Sequence, residues 1–244
     1  MGNIVRGWKR VMAVGCSHGP FLDPQIKKQV LDFRDRWKPS ILFHLGDVVD
    51  TAAFRSGAKG TADESSPVGA DLQAGINFLT ELEPTHITWG NHDWRLWDLA
   101  DHPNAVIAHA ASVCRDRLTD CAARLHAKTV PYDIHDGWFH LGGVYWGHGY
   151  WYNEHALRDH AEYHGGSCVI AHLHRAQALH GRVRAKSSSY CVGLLADPRK
   201  LTYARKRRAT SAWSHGVVFG EICENQSVLW LAEAHPGEKM RFPL

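Results

Sequence analysis

The chain has 244 residues, enough for one large domain with a full core or two small ones. Its 44% apolar and 22% charged content is ordinary for a globular protein, and no apolar run approaches the roughly 18–20 residues that span a bilayer. The net charge of +3 conceals an asymmetry: residues 175–208 hold ten Lys and Arg against the single acid Asp197, a local +9 that leaves the remainder at −6. Such a block suits a polyanionic partner and equally suits a solvated basic loop.

In chain order, RVMAVG (10–15) is a short apolar run ending in Gly and reads as a strand. Pro24–Trp37 carries Ile26, Val30, Phe33 and Trp37 at helical spacing, with a proline near its start and Pro39 beyond its end. SILFHLG (40–46) is a second strand, and the Gly, Ser, Ala and Pro of 51–69 predict a long loop. Asp71–Glu83 repeats the helical pattern and stops at Pro84; Thr85–Trp89 is a third strand, and Ala105–His126 a further helix. After these come a hairpin at 138–141 and 144–146, a helix at 153–164, a strand at 167–171, and a strand-rich end at 190–195, 216–223 and 227–232. A βαβαβ start giving way to hairpins predicts a single α/β domain over 1–244, with two sheets packed together and helices outside.

The six cysteines (16, 114, 121, 168, 191, 223) form no CxxC pair, and the basic start MGNIVRGWKR lacks a signal-peptide core. Arg6 stands where a myristoylation motif needs Ser or Thr. A reduced, cytoplasmic protein with no membrane attachment is expected. Eighteen histidines are many for this length, and a His-rich surface or metal chemistry would each account for them.

Five predicted strand ends each present polar residues of metal-binding type: Cys16-Ser17-His18, Gly46-Asp47 through Asp50, Gly90-Asn91-His92-Asp93, Gly147-His148-Gly149 and Ala171-His172-Leu173-His174. Oxygen and imidazole donors suit Mn²⁺, Fe²⁺ or Zn²⁺, and a carboxylate can bridge two such ions. Any one of these turns alone is better read as a polar loop; five in order are not.

The series C-x-H, G-D-x-x-D, G-N-H-D, G-H, A-H-x-H resembles the calcineurin-like metallophosphoesterase superfamily, whose motifs run D-x-H, G-D-x-x-D, G-N-H-D/E, H and G-H-x-H. HGPFLDP, GNHDWRL and AHLHR are similar to small, capless phage and bacterial members. The resemblance implies a four-layer αββα sandwich of two mixed sheets and two divalent metal ions. It implies that Cys16, His18, Asp47 and His174 hold the first ion, and that Asp47, Asn91, His148 and His172 hold the second. His92 would act on the leaving oxygen with Asp93 orienting its ring, and Asp50 would support the ligands from behind. Arg95 reads either as a phosphate clamp or as a surface arginine.

The chain departs from the family at Cys16, where Asp is usual, and at Ala171, where Gly is usual. A thiolate at 16 would favour Zn²⁺ or Fe²⁺ over Mn²⁺; a protonated, buried thiol would leave the first ion weakly held. No cysteine has Arg six residues on, which excludes the C-x₅-R phosphate loop of cysteine phosphatases. The expected activity is phosphoester hydrolysis by metal-activated water. The basic segment, with Tyr190, Tyr203 and Trp213 near it, favours a phosphodiester of nucleic acid or nucleotides. A phosphomonoesterase and a non-catalytic metal-binding scaffold are the alternatives.

Overall fold

A computed structural model describes residues 7–180, 188–201 and 208–243. Eleven strands among the described residues form two mixed sheets. In the first the order is β11(Gln226–Ala234)-β10(His215–Cys223)-β1(Lys9–Val14)-β2(Ile41–His44)-β3(His86–Thr88)-β4(Lys128–Val130). Strands β1 to β4 run parallel, and β10 and β11 are antiparallel additions. The second has the order β5(Trp138–Leu141)-β6(Val144–Gly147)-β7(Ser167–Ile170)-β9(Ser188–Val192)-β8(Ala176–His180), parallel only across β6, β7 and β9.

Side-chain alternation explains the layers. In β1, Val11 and Ala13 face the second sheet, where they meet Trp146, Val169 and Val192 in one core; Met12 and Val14 face the helices with Ile26, Phe33 and Phe219. Both faces are buried, so the strand reads as a continuous apolar run rather than an alternating one. Helices α1(Pro24–Trp37), α2(Val68–Leu82), α3(Asn91–Ala100) and α4(Ala105–Arg124) cover the first sheet, and α5(Ala156–His164) covers the second with Leu157 against Cys168 and Ile170. The four expected layers are present.

Helix α1 keeps the sequence-predicted bounds because its ends are chemically marked. The Asp23 carboxylate accepts from the Gln25 and Ile26 amides at 2.8 and 3.2 Å, Pro24 opens the helix, and Lys38 closes it in the left-handed region. Several elements differ from expectation. Helix α2 begins at Val68, three residues early, and the predicted loop ahead of it contains 3₁₀ turns at Ala52–Phe54 and Ala62–Ser65. Strands β4 and β8 lie at sheet edges, where partly exposed side chains leave little periodic signal. Asn91–Ala100, unassigned by sequence, is the helix α3.

Candidate metal centre

The site lies where the strands of both sheets end. The turn after β1 is joined to the turn after β2 by backbone bonds from Cys16 N to Gly46 O and His18 N to Asp47 O, both 2.9 Å. Two glycines let the turns after β2 and β3 touch. A Cβ on Gly46 would stand 2.5 Å from the Gly90 nitrogen, and one on Gly90 would collide with the Asp47 backbone and carboxylate. Five of the seven expected ligands, Cys16, His18, Asp47, His172 and His174, have φ between +49° and +59°. Left-handed backbone costs a non-glycine residue roughly 1–2 kcal/mol, and such strain gathers at functional sites.

Asp47 is the centre of the arrangement. Its Oδ1 accepts from the His92 amide at 3.0 Å, while Oδ2 lies 3.7 Å from His18 Nε2 and 3.4 Å from His148 Nε2. Around Oδ2 two donor groups meet: Cys16, His18, Asp47 and His174 on one side, Asp47, His148 and His172 on the other. Asn91 Oδ1, 3.1 Å from His148 Nε2, completes the second group. All seven expected ligands are therefore brought together.

Hydrogen bonds behind the ligands fix their tautomers. His148 Nδ1 lies 2.7 Å from the Leu45 carbonyl, which can only accept, so Nδ1 carries a proton and Nε2 faces Asp47 Oδ2; burial lowers the His148 pKa, but Asp47 and the Leu45 carbonyl prevail and raise it. His18 does the same through Asp50: its Nδ1 is 3.0 Å from Asp50 Oδ1, leaving Nε2 3.1 Å from His174 Nε2. Burial and the neighbouring imidazoles push His172 down to about 3 and hold His174 well below the usual histidine range, so both are neutral donors. Burial would raise the Asp47 carboxyl, but His148, His92 and His18 outweigh it and keep Asp47 ionised. His18 and His148 each bring Nε2 within 3.7 Å of one carboxylate oxygen, a donor set that a divalent cation satisfies. The second group, with separations of 3.1–3.4 Å, fits octahedral ligands of a cation at about 2.1 Å, which stand roughly 3.0 Å apart.

His92, at the first turn of α3, faces this centre with its ring edge-on to His18 at 4.7 Å. The structure corrects the role given to Asp93. Its carboxylate turns away and accepts from the Gly90 and Val49 amides at 2.9 and 3.0 Å, capping α3; burial and Asp47 push it up to about 7. Asp50 orients His92 instead, through its carbonyl at 2.8 Å and its Oδ1 at 3.2 Å from Nδ1. Burial lowers the His92 pKa, but Asp47 and Asp50 prevail and raise it to about 9. Arg95 Nη1 donates to the Asp50 and Thr51 carbonyls and to Thr51 Oγ1 at 2.7–3.2 Å, tying that turn to α3.

Sequence reasoning missed the residues that hold these turns. Asp71, read only as a helical position, accepts from the Asp50 and Thr51 amides at 3.1 and 2.6 Å. It also missed an aromatic pair, Tyr132, whose ring stands edge-on to His148 at 5.8 Å, stacked on Tyr150 at 4.3 Å; Trp213, which the sequence placed near the basic segment, stands edge-on to His174 at 4.6 Å. Burial raises the Cys16 thiol well above its ordinary value, and Asp47 adds to the rise. Among the described cysteines no disulfide is present. Of the basic segment, Arg175 bonds the Asn153 and Glu154 carbonyls and Arg199 pairs with Asp197. Arg182, Arg184, Lys186, Arg205, Lys206 and Arg207 lie outside the described residues. No helix among the described residues is long and apolar enough to cross a membrane.

No family model matches the sequence. Over 150 residues the chain is 28% identical to the Gene 54 protein of Mycobacterium phage D29; the match takes in 56% of this chain and 58% of that one. Among solved structures it is similar to Vps29 of Entamoeba histolytica complexed with zinc (TM-score 0.49, 13% identity, 95% and 97% of the two chains). It is also similar to the phosphoesterase Yfce of E. coli (0.40, 16%, 93% and 100%) and to a dimetal phosphatase of Danio rerio (0.42, 9%, 93% and 99%). At these identities the likeness concerns the course of the chain.

Proposed function

We propose that this chain is a binuclear-metal phosphoester hydrolase of the calcineurin-like metallophosphoesterase superfamily, acting on a phosphodiester of nucleic acid or nucleotides. The observation that carries the reading is Asp47 Oδ2, placed between two imidazole-based donor groups beside a buried histidine, His92, that belongs to neither. Two divalent cations would supply Lewis-acid polarisation of the phosphoryl group and activation of water. Asp47, His18, His174 and Cys16 would hold one, and Asp47, Asn91, His148 and His172 the other.

The protein's own part is positioning and proton transfer. Asp50 fixes the His92 ring through Nδ1, so Nε2 is the nitrogen that meets the substrate. Held there, His92 can give a proton from Nε2 to the departing oxygen. The rings of Tyr132, Tyr150 and Trp213, placed beside His148 and His174, support ester arms that carry flat groups such as bases.

The test is hydrolysis of bis-p-nitrophenyl phosphate and p-nitrophenyl phosphate by protein supplied with Mn²⁺ or Zn²⁺, wild type and His92→Ala, with metal content measured on both. Diester cleavage that falls roughly 10²–10⁴-fold in His92→Ala at unchanged metal content is expected. Loss of metal along with activity would make His92 a ligand. Two bound ions without cleavage of either ester would favour the metal-binding scaffold.

A further inference from the structure

The two donor groups differ in one atom. The second is built of oxygen and nitrogen, whereas the first includes the Cys16 sulfur. We propose that Cys16 is a thiolate ligand that closes the first position as a Cys-His-His-Asp tetrahedron, so that this position selects Zn²⁺ over Mn²⁺ while the second does not. The inference rests on the binuclear reading above and concerns how its two halves differ.

Three observations carry it. The first is geometric. Tetrahedral ligands about 2.0–2.3 Å from a zinc ion stand roughly 3.3–3.7 Å from one another, the longer values being those to sulfur. Here His18 Nε2 and His174 Nε2 are 3.1 Å apart, His18 Nε2 and Asp47 Oδ2 3.7 Å, and Cys16 Sγ and Asp47 Oδ2 4.0 Å. These three lie within about 0.5 Å of the tetrahedral values, and all four donor atoms fall within 4.8 Å of one another.

The second is the contrast with the other buried cysteines. The thiols of Cys168 and Cys191 lie against the carbonyls of Leu157 and Ala171, as small core residues do, and neither belongs to a donor group. The Cys16 sulfur instead lies 4.0 Å from a carboxylate oxygen, Asp47 Oδ2, and belongs to a group of four buried donors.

The third is completeness. Four protein donors, all fully or almost fully buried, fill a tetrahedron, the arrangement of closed zinc positions. In the second group Asn91 and His172 are partly exposed, and octahedral coordination leaves places for solvent or substrate. A soft sulfur in the closed position and only harder oxygen and nitrogen donors in the open one assign different preferences to the two.

Cobalt titration of the chelator-treated full chain reads this directly, because thiolate bound to Co²⁺ gives a strong sulfur-to-cobalt charge-transfer band in the near ultraviolet. The band is expected in wild type, saturating at one equivalent, and absent in Cys16→Ser. Competition should show the Zn²⁺ over Mn²⁺ preference of that position falling by on the order of tenfold or more in Cys16→Asp. X-ray absorption at the zinc edge of the wild-type protein needs no variant and should find one sulfur neighbour at about 2.3 Å. Two cobalt ions bound with no such band, or a zinc edge with only nitrogen and oxygen, would overturn the thiolate and leave the binuclear reading standing. No cobalt bound would overturn both.

Discussion

Three alanine substitutions separate two costs that the centre imposes on its backbone. Gly46 and Gly57 share a φ of +84°, but a Cβ on Gly57 meets nothing within 4 Å, whereas one on Gly46 would stand 2.5 Å from Gly90 N, 2.7 Å from its Cα and 2.7 Å from His148 Nδ1. Gly90 has an ordinary φ of −96° and only the close approach, here to Asp47. Gly57→Ala should therefore lose about 1–2 kcal/mol for left-handed backbone alone. Gly90→Ala should lose about 1–3 kcal/mol for overpacking alone. Gly46→Ala should lose both, about 2–5 kcal/mol, a large part of the 5–15 kcal/mol that typically holds a domain together. Urea unfolding at neutral pH measures the three losses, and bound metal is determined on the same samples. Gly46→Ala and Gly90→Ala should hold less metal because His148 and Asp47 are displaced; Gly57→Ala should match wild type. Equal destabilisation of Gly46→Ala and Gly57→Ala would refute the claim that the two turns are fitted against each other.

Asp50→Asn and Asp93→Asn should part company. The first removes the anion behind His18 and His92 and should weaken metal binding roughly 10–100-fold. The second should mainly destabilise, by about 1–3 kcal/mol as one of two buried amides loses its acceptor, and calorimetry with metal titration distinguishes them. Acid should unfold the protein through histidines outside the centre. Burial lowers His160 and His86 to about 4 and His44 to about 3. Each stays neutral when folded and takes a proton near 6.5 when unfolded, so the stability it preserves is full above about 6.5 and is lost as pH falls through its folded value. For His160, whose Nε2 accepts from the Tyr150 amide at 2.8 Å, the loss amounts to about 3 kcal/mol, and His160→Gln should flatten the stability profile between pH 6.5 and 4. A profile unchanged by that substitution would count against it.

Much of this was legible in the sequence because the same residues serve two codes. The apolar runs of β1 and β2 and the stripe of α1 announce their elements by period, and the ligands follow at the strand ends, so locating the strands located the donors. What stayed hidden depends on direction rather than identity. Asp93 and Asp50 are both acids near His92 in sequence or space, and nothing in GNHDWRL tells that the first turn of α3 swings Asp93 toward Gly90 while Asp50 arrives from another turn. Arg95 is an arginine beside a candidate phosphate site whose guanidinium happens to fall on the Thr51 turn. Tyr132 and Trp213 reach the centre through tertiary packing, which no local pattern records.

The left-handed residues around the centre carry one more consequence. Five of them at roughly 1–2 kcal/mol each amount to a strain comparable with the net stability of an ordinary domain. A cation that binds only the folded turns adds about 4 kcal/mol when present at a thousand times its dissociation constant, enough to offset two to four such residues. Metal supply is then a variable of folding as well as of reaction: under metal scarcity the strand ends would be the first places where backbone amides exchange with solvent.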